Sequence, residues 1–169
     1  VCVPRVPIMS RPFSVLLVED DDPLRSVLLE LLRQRGWEVH PAARGDEAVE
    51  IARRVQLDIS ILDLHLPGLS GVEVYRRIAT EIRPVPSILM SGEATREEAR
   101  RALELGIAEF LRKPLDLQLL RQALDGLIQR HFPQRALPHS QLPIRLDDLY
   151  PRPQPSRSRP LSPPRRRRH

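Results

Sequence analysis

The chain has 169 residues, 41% hydrophobic and 29% charged, with a formal net charge of +5. That length suffices for one packed domain, and no apolar run approaches the roughly 20 residues that a membrane-spanning helix needs. The single cysteine, Cys2, excludes an internal disulfide and fits a reducing, cytoplasmic setting.

The charge is unevenly spread. Residues 133–169 hold nine Arg and two Asp, so residues 1–132 carry about −2. The body is mildly acidic and the basicity belongs to the far end. Residues 1–12 contain three prolines and no apolar core of a secretory leader. They are expected to form a flexible extension, with Val1 and Met9 both open as the start.

Taken in order, Ser14–Val18 is the first expected strand, continuously apolar over Val15–Val18 and followed by Glu19, Asp20, Asp21 and Asp22. A helix should follow, with Asp22 as N-cap and Pro23 in the first helical position. Leu24, Val27, Leu28, Leu31 and Leu32 give it one apolar face, and Gly36 ends it. Trp37–Val39 reads as a second strand and Asp46–Val55 as a second helix, with Ala48, Ile51, Ala52 and Val55 inward. Ile59–Leu62 is a buried third strand that stops abruptly at Asp63, before a loop with Pro67 and Gly68.

Ser70 to Glu73 forms a capping box, and Val74, Tyr75, Ile78, Ala79 and Ile82 form the stripe behind it. Ser87–Met90 is a fourth strand that delivers Ser91 and Gly92. Thr95 to Glu98 is a second capping box, opening a helix that closes at Gly106. Ala108–Leu111 is a fifth strand that ends near Lys113 and Pro114. Asp116 caps the last helix, which presents Leu117, Leu120, Leu124, Leu127 and Ile128.

Strands alternating with amphipathic helices predict a doubly wound α/β fold, a five-stranded parallel sheet covered on both faces. With right-handed crossovers, the flavodoxin-like (βα)5 order 2-1-3-4-5 is the natural solution. Strands 1 and 3 are then neighbours at the switch point, and Glu19, Asp20 and Asp63 converge on one crevice. Like charges packed together resist joint ionisation, so the cluster calls for a cation. Hard oxygen ligands suit Mg2+. Asp21 and Asp22 fit a solvated helix N-terminus instead. Lys113, the chain's only lysine, would bring a compact ammonium to the same crevice.

Four pieces in order, each after an expected strand, carry a specific pattern: Val18-Glu19-Asp20-Asp21, Leu62-Asp63-Leu64-His65-Leu66-Pro67-Gly68, Leu89-Met90-Ser91-Gly92 and Phe110-Leu111-Arg112-Lys113-Pro114. Over residues 13–132 the chain resembles the receiver domain of two-component response regulators. The resemblance implies that Asp63 is the phosphoacceptor, loaded by a sensor histidine kinase or histidine phosphotransferase. It implies Mg2+ held by Asp20, Asp63, the backbone carbonyl of His65 and, through water, Glu19. The His65 ring is expected to be a plain exposed loop side chain. Ser91 would hydrogen-bond the phosphoryl group, Lys113 would neutralise it, and Phe110 would be the aromatic that turns inward as Ser91 moves. The Lys113–Pro114 bond is expected to be cis. The readout surface would be the fourth helix, fifth strand and fifth helix, facing a downstream protein target. Ser91 stands where the family more often has Thr, and Phe110 lacks the phenol of the commoner Tyr.

Residues 133–169 hold nine Pro beside the nine Arg and are expected to be a disordered tail, with no packed output domain. An Arg-rich arm for nucleic acid is the alternative function. Only Tyr150 offers an aromatic for base stacking. An aspartate-nucleophile phosphatase is a third class. It is disfavoured because such enzymes usually carry a second acid where this chain has His65.

Overall fold

Apolar runs too short for a helix become strands when both faces can be covered. Three such runs, β1 (Ser14–Val18), β3 (Ile59–Asp63) and β4 (Ser87–Ser91), are buried at every position and form the middle of the sheet. The flanking strands, β2 (Glu38–Ala42) and β5 (Glu109–Arg112), are partly exposed, as edges should be. All pairings are parallel, in the order β2-β1-β3-β4-β5. The structure, a computed structural model, describes residues 11–135; the rest of the expected tail and residues 1–10 lie outside the described residues.

Five α-helices connect and follow the strands: α1 (Asp22–Gln34), α2 (Gly45–Arg54), α3 (Gly71–Arg77), α4 (Arg96–Glu104) and α5 (Leu117–His131). Side chains alternate across each strand, so the sheet builds two cores. Leu16, Val18, Leu62 and Leu89 pack with Ala48, Val74 and Ala102 beneath α2, α3 and α4. Val15, Leu17, Ile61 and Ile88 pack with Leu28, Leu32, Leu120 and Leu124 beneath α1 and α5. Among the described residues no helix is long and apolar enough to cross a membrane.

Several local expectations shift. The cap of α1 is Asp21, whose Oδ1 accepts from the Leu24 N–H at 2.8 Å. Asp22 and Pro23 therefore sit inside the first turn. Consecutive aspartates offer the same capping chemistry, and the path of the chain leaving β1 selects among them. The second strand lies further along than Trp37–Val39, because pairing with β1 extends it to Ala42. The third helix is α-helical only to Arg77, and Ile78–Ile82 forms a π-helical turn. That turn closes with the Arg83 N–H on the Ile78 carbonyl at 2.8 Å, and the Arg83 guanidinium caps the Leu57 carbonyl. Both expected capping boxes are present, and Asp116 caps α5.

At the amino ends of the strands, buried Asp58 gathers two guanidiniums. Arg11 and Arg135 reach its Oδ1 at 2.9 and 3.1 Å, and the Ser14 N–H donates to Oδ2 at 2.9 Å. Arg135 also lies over the Phe13 ring at 3.8 Å. Replacing Asp58 by Asn strands two cations against a neutral amide. A loss of about 2–3 kcal/mol in urea unfolding is expected, with an unchanged m value. A loss under about 0.5 kcal/mol would mean that solvent already screens the cluster.

Candidate functional site

The register of the sheet places the strand ends together. Val18 pairs with Leu62 and Asp63 with Met90, so the residues that follow β1 and those that end β3 and β4 share one edge. Glu19 stays fixed because its N–H donates to the Ala42 carbonyl at 3.1 Å and its own carbonyl accepts from Arg25 at 2.8 Å. Carboxylate oxygens of Glu19, Asp20 and Asp63 lie within 4.8 Å of one another. Glu19 and Asp63 are buried, whereas Asp20 is exposed.

Lys113 joins this group from the end of β5. Its Nζ stands 2.7 Å from Glu19 Oε2 and 2.8 Å from Asp63 Oδ2. The Lys113 N–H donates to the Ser91 carbonyl at 2.8 Å, which ties the two strand ends together. The Lys113–Pro114 peptide bond is cis, as the resemblance implied. Ser91 is fully buried. Its hydroxyl oxygen accepts from the N–H groups of Ala94 and Glu93 at 3.1 and 3.3 Å, which leaves its proton free to be donated elsewhere. The His65 N–H donates to Asp63 Oδ1 at 3.3 Å, and its ring is exposed. Phe110 is half-buried, packed against the core beneath α2, α3 and α4, beside Leu89 in the register.

Gly71 is a position whose importance the sequence did not signal beyond its place in a capping box. A Cβ there would stand 2.2 Å from the Asp63 carbonyl oxygen. Only glycine lets α3 start this close to the end of β3. The Gly71 N–H donates to the Leu64 carbonyl at 3.0 Å and closes the loop that carries Asp63 and His65.

The electrostatics follow from burial. Burial raises the Glu19 pKa above 4.5; the Lys113 contact opposes that rise and the Asp63 charge adds to it. For Lys113, burial alone disfavours the ammonium, but the carboxylates of Asp63 and Glu19 outweigh it and hold the pKa above 10.5. Lys113 therefore remains charged at neutral pH, and its stabilisation is lost only as pH rises through that raised value. Glu19 follows the same sign on the acid side. Its raised pKa favours the folded state below about 4.5, and that contribution fades as pH rises through the folded value. In metal-free buffer, Glu19→Gln should raise the melting temperature relative to wild type by a few degrees at neutral pH, with the gap closing toward pH 4.5. An equal gap at both pH values in thermal scans would contradict this.

The residues fit a hard divalent cation. The donors are the carboxylate oxygens of Glu19, Asp20 and Asp63. Glu19 Oε2 is buried and lacks a well-directed hydrogen bond among the described residues, although Lys113 stands beside it. Three carboxylates share the single Lys113 ammonium, so the cluster keeps a surplus of negative charge that a cation would offset.

Comparison with known proteins agrees with this geometry. The family model for the response regulator receiver domain matches residues 15–125. A cyclic di-GMP phosphodiesterase of Thermotoga maritima is 34% identical over 108 residues, 64% of this chain and 29% of that protein. A probable transcriptional regulatory protein, TcrX, of Mycobacterium tuberculosis is 29% identical over 120 residues, 71% of this chain and 51% of that protein. The chain thus spans only 29% and 51% of the length of these relatives. Among solved structures, the non-phosphorylated HemR receiver domain from Leptospira biflexa is 34% identical with a TM-score of 0.64, covering 69% of this chain and 94% of that one. The order of the strands, the acids at their ends and the matched family model lead to one conclusion: this chain belongs to the response regulator receiver domain family of two-component signalling.

Proposed function

We propose that the chain is a stoichiometric phosphoacceptor in a two-component phosphorelay. A carboxylate oxygen of Asp63 attacks the phosphorus of a phosphohistidine on a sensor kinase or histidine phosphotransferase. The P–N bond breaks, the imidazole leaves with its electron pair, and Asp63 becomes an acyl phosphate. The observation that carries this reading is the Lys113 ammonium, set 2.8 Å from Asp63 Oδ2 at the edge of a three-carboxylate cluster. Phosphoryl transfer asks a protein chiefly for positioning and charge neutralisation.

Each residue has a defined part. Mg2+ held by Asp20, Asp63 and the His65 carbonyl, with Glu19 behind them, would supply positive charge against the transferring oxygens. Lys113, already 2.8 Å from Asp63 Oδ2, would neutralise the phosphoryl group. Ser91 donates its free hydroxyl proton to it. That movement opens space toward Phe110 and shifts the surface of α4, β5 and α5, which a downstream protein target reads. The setting is cytoplasmic, and no catalytic turnover is implied.

Incubation with radiolabelled acetyl phosphate and magnesium should give a label that hydroxylamine removes, as expected of an acyl phosphate. A label that resists hydroxylamine, or that persists in chelator, would sink the reading. The arginines of residues 133–169 favour a second activity, salt-sensitive binding of nucleic acid. Deleting residues 136–169 should leave labelling intact, and a mobility-shift assay across salt concentrations tests the arm. DNA affinity that survives the deletion would dismiss the second activity.

A further inference from the structure

A groove of about 360 Å³ runs between α3 and α4, bordered by Leu64 and His65, the residues that follow Asp63. Its floor is apolar, made by Leu64, Val72, Ala102 and Leu105. Its rim is basic, with Arg76 on one wall and Arg101 on the other, both exposed. Arg76 makes no ion pair among the described residues, and Arg101 pairs only with exposed Glu97 at 3.1 Å. Exposed pairs of that kind contribute little and exchange easily. The one acid in the groove, Glu98, is committed to its helix cap, accepting from the Thr95 N–H and hydroxyl at 2.8 and 2.9 Å.

We propose that this groove docks an acidic peptide segment of a partner protein, one that inserts an apolar side chain between flanking carboxylates. Charge complementarity selects the occupant, because two arginines outnumber the single lining carboxylate, Glu98, around an apolar floor, which favours Leu or Phe beside Asp or Glu. The volume lies at the low end of ligand pockets and suits one or two large side chains.

The groove is also coupled to the site, a coupling that rests on the phosphoacceptor reading. Its α3 wall follows the loop from Asp63 to Gly71, which contributes Leu64 and His65 to the lining. Its α4 wall follows the Ser91 loop, which is held by Ser91 itself and by Arg112 on the Ala94 carbonyl at 3.2 Å. A change at Asp63 and Ser91 therefore moves both walls, and linkage makes the effect reciprocal.

The test titrates the full chain with a fluorescein-labelled peptide alternating Leu and Phe with Asp and Glu, read by anisotropy. A matched peptide with Lys for the acids is the control. Arg76→Glu with Arg101→Glu should weaken binding at least tenfold, and so, separately, should Leu105→Glu, all three positions being exposed enough to spare the fold. Binding that survives both changes belongs to the arginines of residues 133–169 and overturns the proposal, as does equal affinity for the Lys control. Acetyl phosphate with magnesium should shift the affinity about fivefold or more. An unchanged affinity in a protein shown to be labelled refutes the coupling. An unlabelled protein would instead count against the phosphoacceptor reading, while the groove variants still decide the docking.

Discussion

Asp63→Asn should abolish labelling by acetyl phosphate, reducing it to the background of uncatalysed acylation. An amide nitrogen or oxygen cannot supply the lone pair of a carboxylate, and no other acid at the site stands where Asp63 does. Asp20 is exposed, and Glu19 Oε1 is occupied by the Asp21 N–H at 3.2 Å. Asn keeps the shape of Asp63 and relieves some of the repulsion among three clustered carboxylates. The fold should therefore survive, with a stability change within about 1 kcal/mol. Mass spectrometry after labelling measures the first outcome and urea unfolding the second. Wild-type labelling in a folded Asp63→Asn variant would move the phosphoacceptor elsewhere.

Lys113→Met should be the most damaging single change to stability at the site. It leaves Glu19 and Asp63 buried together with no cation between them. Removing one partner of a buried ion pair costs about 3–5 kcal/mol. Lys113 is one-fifth exposed, so the lower end of that range, about 3 kcal/mol, is expected in metal-free buffer. Magnesium should return part of it by supplying the missing charge, and Glu19→Gln in the same background should return part by removing one acid. The labelling rate should fall about 100-fold or more, the usual cost of removing one electrostatic stabiliser of a transition state. A Lys113→Met variant as stable as wild type without magnesium would mean that the ammonium does not hold the acids together.

These effects depend on residues that are far apart in the chain and adjacent in space, and that distinction separates what could be read early from what could not. The strands β1, β3 and β4 were legible because burial on both faces demands short, mainly apolar runs, the polar exception Ser60 inside β3 being paired with Ser87 of β4 at 2.6 Å. The helices were legible from their spacing and from capping boxes at Ser70 and Thr95, which depend on neighbours three residues away. Boundaries set by longer-range forces were not. The length of β2 follows from its partner β1, and the cap of α1 from the direction in which the chain leaves β1. The π-helical turn at Ile78–Ile82 has no marker in the spacing of its apolar residues.

At the site, the sequence by itself determined the inventory: acids after β1, Asp63 ending β3, a hydroxyl ending β4 and a lone lysine after β5. Local chemistry decides such placements, because a buried strand must surrender its polar groups at its ends. Only the tertiary structure decided who touches whom. It put Lys113 between Glu19 and Asp63, turned the Ser91 hydroxyl oxygen toward the Ala94 and Glu93 amides, and brought Gly71 so near the Asp63 carbonyl that no side chain fits. It also opened a basic-rimmed groove between α3 and α4 that no single segment announces. Contacts of that kind arise from the register and packing of separate strands and helices, which no local stretch of sequence encodes.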